Sequence, residues 1–347
     1  MSKKSKGSKG GKAKAAAVEE NAVSRQVVFS NYGKLCKSIG VPVNVYVNEA
    51  LRGDVEEETE LVNFILEGEI GSLGPGGVHA IVLAFLISFG LRFLLSWGPY
   101  PHLRYIRMWN QDVQDEGAVM IASLLQSSPP SFNIAYLELL DCDIGVEGCR
   151  AIADVLKSQT QPGLLALKLD YNSDIGDAGV NALCDGLFTN TVLKKLSLDF
   201  CNIGPQGSIK LAQLVAMPQS ALEKLSLQGN NLGDEGLYHF SLGLARSHHL
   251  TTLNLADNAI RHHEEALTAF RDALLRSKAL AHVDFTFNPI ERQGAAVLLP
   301  ALAPENAKLL SFQVDAALPA DVFAQLNRAP KAEGKKKGKK KGGKKKK

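Results

Sequence analysis

Apolar positions recur along this chain with a long, nearly fixed period. Unit starts fall at Leu103, Ile134, Leu164, Leu193, Leu222, Leu250 and Leu280, with a worn start at Leu309, so the intervals are 31, 30, 29, 29, 28, 30 and 29 residues. Three residues after each start stand Ile106, Leu137, Leu167, Leu196, Leu225, Leu253 and Val283. Five after it stand Met108, Leu139, Leu169, Leu198, Leu227, Leu255 and Phe285. This alternation over a short span predicts a strand with one buried face. At +8 the chain has Gln111, Cys142, Asn172, Cys201, Asn230, Asn258 and Asn288, small or amide side chains able to satisfy turn backbone groups that no strand partner reaches. An aliphatic residue at +10 and a glycine at +14 follow, for example Ile144 and Gly148, with the third unit shifted by one inserted residue and the sixth carrying Glu264 instead of glycine. Each unit closes with an amphipathic helix, as in Ala151, Ile152, Val155 and Leu156. A supersecondary unit repeated at this period predicts a solenoid, whose stacked units bury one continuous core.

The pattern weakens toward both ends. Residues 61–86 read as a degenerate first unit, with Leu61, Phe64 and Leu66 as strand and GPGGVHAIVLAFL as glycine turn and helix. Upstream, Val28, Phe29, Tyr32, Leu35 and Cys36 have helical spacing up to Gly40, and Val43, Val45, Val47 and Leu51 follow Pro42. Residues 25–60 are therefore expected to be a helical cap over the open end of the array, with the acidic run at 54–60 as a solvated linker. Residues 78–97 are long and apolar enough to raise the question of a membrane span. His79, Arg92 and Gly90 interrupt them, and their first half fits a unit's helix. They are read as a buried helix followed by an apolar insertion at about 87–101, with no membrane span. The solenoid is expected over 61–326, with lysine-rich disordered ends at 1–24 and 327–347.

The motif LxxLxLxx(N/C)xIGxxG, near 29 residues long with Asn and Cys alternating, resembles the ribonuclease-inhibitor type of leucine-rich repeat. That resemblance implies an α/β fold: a right-handed leucine-rich-repeat horseshoe with a parallel sheet on the concave side and helices on the convex side. The scaffold serves inhibitors, GTPase activators and cytoskeletal subunits, so it implies binding rather than one particular role. A second, shorter stretch, NYGKLCKSIGVPVNVYVNEAL followed by GSLGPGGVHAIVLAFL, is similar to the N-terminal region of leucine-rich-repeat proteins associated with cilia and flagella.

Charge changes this picture. The net +3 hides +6 in residues 1–14 and +10 in residues 331–347, which leaves −13 on the body between them. An acidic solenoid with cationic ends is expected to meet acidic polymers through Lys335, Lys336, Lys337, Lys339, Lys340, Lys341, Lys344, Lys345, Lys346 and Lys347. Tubulin C-terminal tails are the favoured polymer and RNA the alternative; the runs also suit a nuclear address. Five cysteines with no CxxC pair point to reduced core thiols and a cytosolic or nuclear compartment.

Candidate chemistry lies between the leucines. Strand residues at +2, +4 and +6 should face the concave side, and those at +7 adjoin it. The first four units then place Tyr105, Arg107, Trp109, Tyr136, Glu138, Asp141, Asp170, Tyr171, Asp199 and Phe200 as a protein-binding surface, aromatics with arginine being the composition of interface hot spots. No GxxxxGK[ST], HExxH or GxSxG motif occurs, and no zinc-spaced Cys/His set. His262 and His263 are adjacent on a helix head and project about 100° apart, which suits a polar surface better than a shared metal. No enzyme, cofactor or metal is expected. A GTPase-activating role lacks the acidic tail and the matching arginine that the family resemblance would require. The expected function is a non-enzymatic scaffold or adaptor, in the cytoskeleton of the cilium or flagellum. The alternatives are an enzyme regulator whose acidic groove clamps a basic protein, and an RNA- or ribosome-associated protein.

Overall fold

The computed structural model describes residues 10–52, 61–68, 72–87, 102–127, 134–158 and 163–329, with side chains from residue 25 onward. Nine strands form one parallel sheet in strict sequence order: β1 Asn63–Glu67, β2 Tyr105–Trp109, β3 Tyr136–Leu140, β4 Ala166–Lys168, β5 Lys195–Ser197, β6 Lys224–Ser226, β7 Thr252–Asn254, β8 His282–Asp284 and β9 Ser311–Gln313. The helices of the array are α3 Gly74–Ile87, α4 Gln114–Gln126, α5 Val146–Ser158, α6 Gly176–Leu187, α7 Pro205–Ala216, α8 Gly233–Leu244, α9 Glu264–Arg276 and α10 Glu291–Leu298. Parallel neighbours need a crossover, and each helix provides one. The register never slips: Ile106 pairs with Leu137, Leu137 with Leu167, Leu167 with Leu196, and so on to Val283 with Phe312. The fold is a solenoid, as the period predicts, and of the leucine-rich-repeat type that the resemblance implies.

The core is a file of +3 and +5 side chains between sheet and helices, almost all at most 2% exposed. Beneath the turns runs a second, polar file. Asn172 Oδ1 accepts from the Cys142 and Ile144 amides at 2.9 and 3.0 Å, while its Nδ2 donates to the Leu139 and Leu169 carbonyls. Asn230 repeats this toward Cys201 and Ile203. The cysteines donate from Sγ, Cys142 to the Met108 carbonyl and Cys201 to that of Leu169, and each takes a single amide of the previous unit, that of Gln111 or Asn172, where asparagine takes two. Asparagine and cysteine thus divide the work, and the true period is two units.

Helix starts follow the same two-unit rhythm. Asp115 Oδ1 accepts from the Gly145 and Gly148 amides of the next unit at 2.7 and 2.9 Å, and Asp177 Oδ1 accepts from Gly204 and Gly207 at 2.7 and 2.8 Å. This explains the +14 glycine of the second and fourth units: a Cβ on Gly148 or Gly207 would sit 2.7 or 2.6 Å from that carboxylate oxygen. From the fifth unit Asp234 Oδ1 accepts from the Arg261 amide of the sixth, where Glu264 occupies the glycine position.

Two helices close the N-terminal end, α1 Gly10–Ile39 and α2 Val45–Arg52. Gly40, at φ +75°, ends α1, and the Val41 amide returns to the Cys36 carbonyl. Asn44 Oδ1 caps α2 at the Val47 amide, and its Nδ2 reaches the Ser72 carbonyl, tying cap to array. Val28, Tyr32, Cys36, Val47 and Leu51 are buried as expected, whereas Val43, before α2, and Val45, at its first residue, are exposed.

Two boundaries differ from the sequence reading. Helix α1 already begins at Gly10, inside the stretch 1–24 expected to lack structure, where an Ala-rich run followed by two glutamates has high helix propensity. At the other end Arg328, assigned to the tail, pairs antiparallel with Phe312, and its guanidinium donates to the Leu309 and Leu302 carbonyls, sealing β9 after α11 Ala320–Leu326. The acidic linker at 54–60 and the apolar insertion beyond Ile87 lie outside the described residues. Among the described residues no helix is long and apolar enough to cross a membrane.

Candidate protein-binding face

Because +3 and +5 face the helices, +2, +4 and +6 face away from them, on the open side of the sheet. At its N-terminal end Tyr105 and Tyr136 meet edge to face, ring centres 6.2 Å apart. Beside them the Arg107 guanidinium lies 5.9 Å from the Trp109 ring centre. Arg107 Nε is 2.8 Å from Glu67 Oε1 and Nη1 is 3.5 Å from Glu138 Oε2, and the Lys168 ammonium is 3.4 Å from the other oxygen of Glu138. Trp109 and Tyr136 are 46% and 40% exposed, and Ile65, in register with Arg107, is 43% exposed. Burial works against the charge on Arg107, but the Tyr105 hydroxyl and the carboxylates of Glu67 and Glu138 outweigh it and raise its pKa. Burial, with Glu138 adding to it, raises the Tyr105 phenol. Glu138 Oε2 is buried with no hydrogen-bond partner among the described residues.

This patch, a cationic group between two carboxylates and framed by three aromatic rings, offers donors and π faces to an incoming chain. Five residues singled out from the sequence come together in it: Tyr105, Arg107, Trp109, Tyr136 and Glu138. The sequence reading missed Glu67 and Ile65, which belong to the degenerate unit; once β1 is placed in register with β2, the +2, +4 and +6 rule finds both.

The other five sit elsewhere. Asp170 and Asp199 are drawn into an internal ladder: Asp170 Oδ1 accepts from the Asp199 amide at 3.0 Å, and Asp199 Oδ1 from the Gln228 amide at 2.7 Å. Burial raises both carboxyls, against the hydrogen bonds they accept. Asp141, Tyr171 and Phe200 lie at +7, on the rim where strand gives way to loop. All three have positive φ, at 52°, 64° and 56°, because the chain turns there while each amide still donates to the carbonyl before the next unit's turn. Tyr171 and Phe200 stack, ring centres 4.8 Å apart and 6° from parallel. A cleft of about 330 Å³, lined by Phe200, Gly229, Asp257, Arg261 and Phe287, continues this rim and was not found from the sequence. His262, His263, Glu264 and Glu265 line an open surface cleft with Asp234 and Arg261, and no group of three or more metal-ligating side chains occurs among the described residues. The ten lysines at 335–347 lie outside the described residues.

Residues 131–153, 189–212, 220–241 and 246–261 match the family described as "Leucine Rich repeat". The chain is 32% identical over 123 residues to the mouse NACHT, LRR and PYD domains-containing protein 4E, a match covering 35% of this chain and 12% of that protein. Among solved structures, the tropomodulin C-terminal domain of Caenorhabditis elegans superposes on 47% of this chain and 93% of its own, at TM-score 0.39 and 16% identity. Leiomodin-1 actin-binding site 2 superposes on 47% and 92%, at TM-score 0.38 and 14% identity. At these values the superpositions carry no argument about partners.

Proposed function

We propose that this leucine-rich-repeat protein is a non-enzymatic scaffold that holds a protein partner on the open face of its sheet, at the N-terminal end. The observation that carries the reading is the patch of Tyr105, Arg107, Trp109, Tyr136 and Glu138. Exposed aromatics around a partly desolvated arginine are the composition of interface hot spots, where single truncations cost about 2 kcal/mol or more. We place the scaffold in the cytoskeleton of the cilium or flagellum, with the lysine-rich ends engaging acidic polymer, tubulin tails before RNA. Supporting this placement are the similarity of residues 31–51 and 71–86 to ciliary leucine-rich-repeat proteins and the +6 and +10 at the two ends.

Replacing Trp109 and Tyr136 together by alanine is expected to weaken partner capture from ciliated cells at least about tenfold, with the unfolding midpoint unchanged because both side chains are exposed. Unchanged capture of every partner sinks the face. A tagged chain that fills the cytosol or nucleus and washes out entirely with detergent sinks the ciliary placement.

A further inference from the structure

The +7 and +9 positions form two parallel files along the rim. In the second and third units they hold Asp141 and Tyr171 at +7, and Asp143 and Asp174 at +9, the last displaced by the inserted residue. Tyr171 is 55% exposed. Its ring stacks on Phe200 at 4.8 Å, the spacing of neighbouring strands, so the stack runs along the file. The far face of Phe200 abuts Gly229, where a Cβ would come within 2.2 Å of the ring. One aromatic face is therefore left over: the side of Tyr171 turned toward the unit that carries Asp141.

The carboxylates around that face are not neutralised. Asp141, Asp143 and Asp174 take part in none of the ion pairs among the described residues. Burial, and then the charges of Asp112, Asp141 and Asp174, hold Asp143 above the usual carboxylate range. A π face turned toward Asp141, with Asp143 and Asp174 on the parallel file of the same rim, is complementary to an ammonium group, which gains from the ring quadrupole and relieves the repulsion among the carboxylates.

We propose that this rim face docks the lysine-rich C-terminal segment of the same chain, residues 331–347. Charge and reach select that occupant. The segment carries +10 against −13 on the body. The described chain ends at Ala329, beside β9, six strand spacings from β3, or about 30 Å. The residues beyond it span up to about 60 Å when extended, and tethering holds their lysines at roughly millimolar effective concentration. Such docking makes the rim an internal competitor for acidic polymer, a consequence that rests on the polymer-binding reading above.

The test uses the full chain. Carbodiimide cross-linking at low ionic strength, in an equal mixture of isotopically light and heavy protein, should join lysines of residues 335–347 to Asp141, Asp143 and Asp174 within single copies. The triple variant D141N/D143N/D174N should bind a polyglutamate probe about tenfold more tightly than the parent, whereas E116Q/D154N/E265Q, which removes three exposed helix charges, should not. Links between light and heavy copies, links from residues 3–14 instead, or links spread over all exposed carboxylates would overturn the proposal. So would equal tightening in both triple variants. The cross-links need no acidic partner: if they form within single copies and neither triple variant binds polyglutamate, docking stands and the polymer-binding reading falls.

Discussion

Asn230 and Asn258 occupy equivalent positions and yet have opposite fortunes. Asn230 Oδ1 takes the amides of Cys201 and Ile203 at 3.0 Å each. Asn258 stands in an even unit, where cysteine is the rule; its Nδ2 donates to Leu227 and Ala256, but Oδ1 is buried with no hydrogen-bond partner. Removing a satisfied acceptor orphans two amides, while removing an unsatisfied one relieves a desolvation cost. Asn230→Cys should therefore lower stability by about 2–3 kcal/mol and Asn258→Cys raise it by about 1 kcal/mol, opposite shifts of the urea midpoint. Asp170 offers a second contrast. Its folded-state pKa is raised, chiefly by burial, so folding opposes its ionisation. The resulting destabilisation is absent below the unfolded pKa of about 3.9, grows as pH rises to the folded value and is constant above it. Asp170→Asn keeps an oxygen for the Asp199 amide. It should be more stable than the parent at pH about 7, with the difference closing as pH falls toward about 4; equal pH profiles in urea titrations would show that burial is not the controlling influence.

At the scale of elements, backbone proximity sets the limits. A Cβ on Gly243 of α8 would lie 2.0 Å from the Ala212 carbonyl oxygen of α7, and one on Gly186 of α6 would lie 2.3 Å from that of Ala153 in α5. Helices seven and eight are pressed together by the two-unit packing, and neither backbone oxygen can yield without moving its helix. Gly243→Ala should cost about 1–3 kcal/mol as overpacking, despite the gain in helix propensity. Gly33→Ala, in α1 with nothing within 4 Å of the added carbon, should be neutral or stabilising. Thermal melts of the two variants check the difference.

Across the whole molecule, charge is distributed so that surface and ends oppose each other. The patch at the N-terminal end of the sheet neutralises itself internally, Arg107 and Lys168 against Glu67 and Glu138. The rim next to it does not. These two surfaces therefore suit different visitors, an apolar and hydrogen-bonding partner on the sheet and a cation on the rim. The ten residues separate into an open patch, a half-buried ladder and a rim because a strand residue's side, its depth and the turn after it are three different variables.

The period of the leucines, with no partner or ligand, determined the array, its register and its core, since burial at fixed intervals leaves only one way to stack the units. It also made the +8 amides legible as turn supports. What the tertiary structure decided was the division of labour. Asp170 and Asp199 read as surface charges until the next unit's amides are seen to claim them. The glycines at +14 in the second and fourth units show their partner only when Asp115 and Asp177 are found in the space of the missing side chain. Glu67 and Ile65 join the patch only through the pairing of β1 with β2. In each case the deciding contact is made by a residue about one unit away, and a pattern read within one unit carries no information about what its neighbour will press against it.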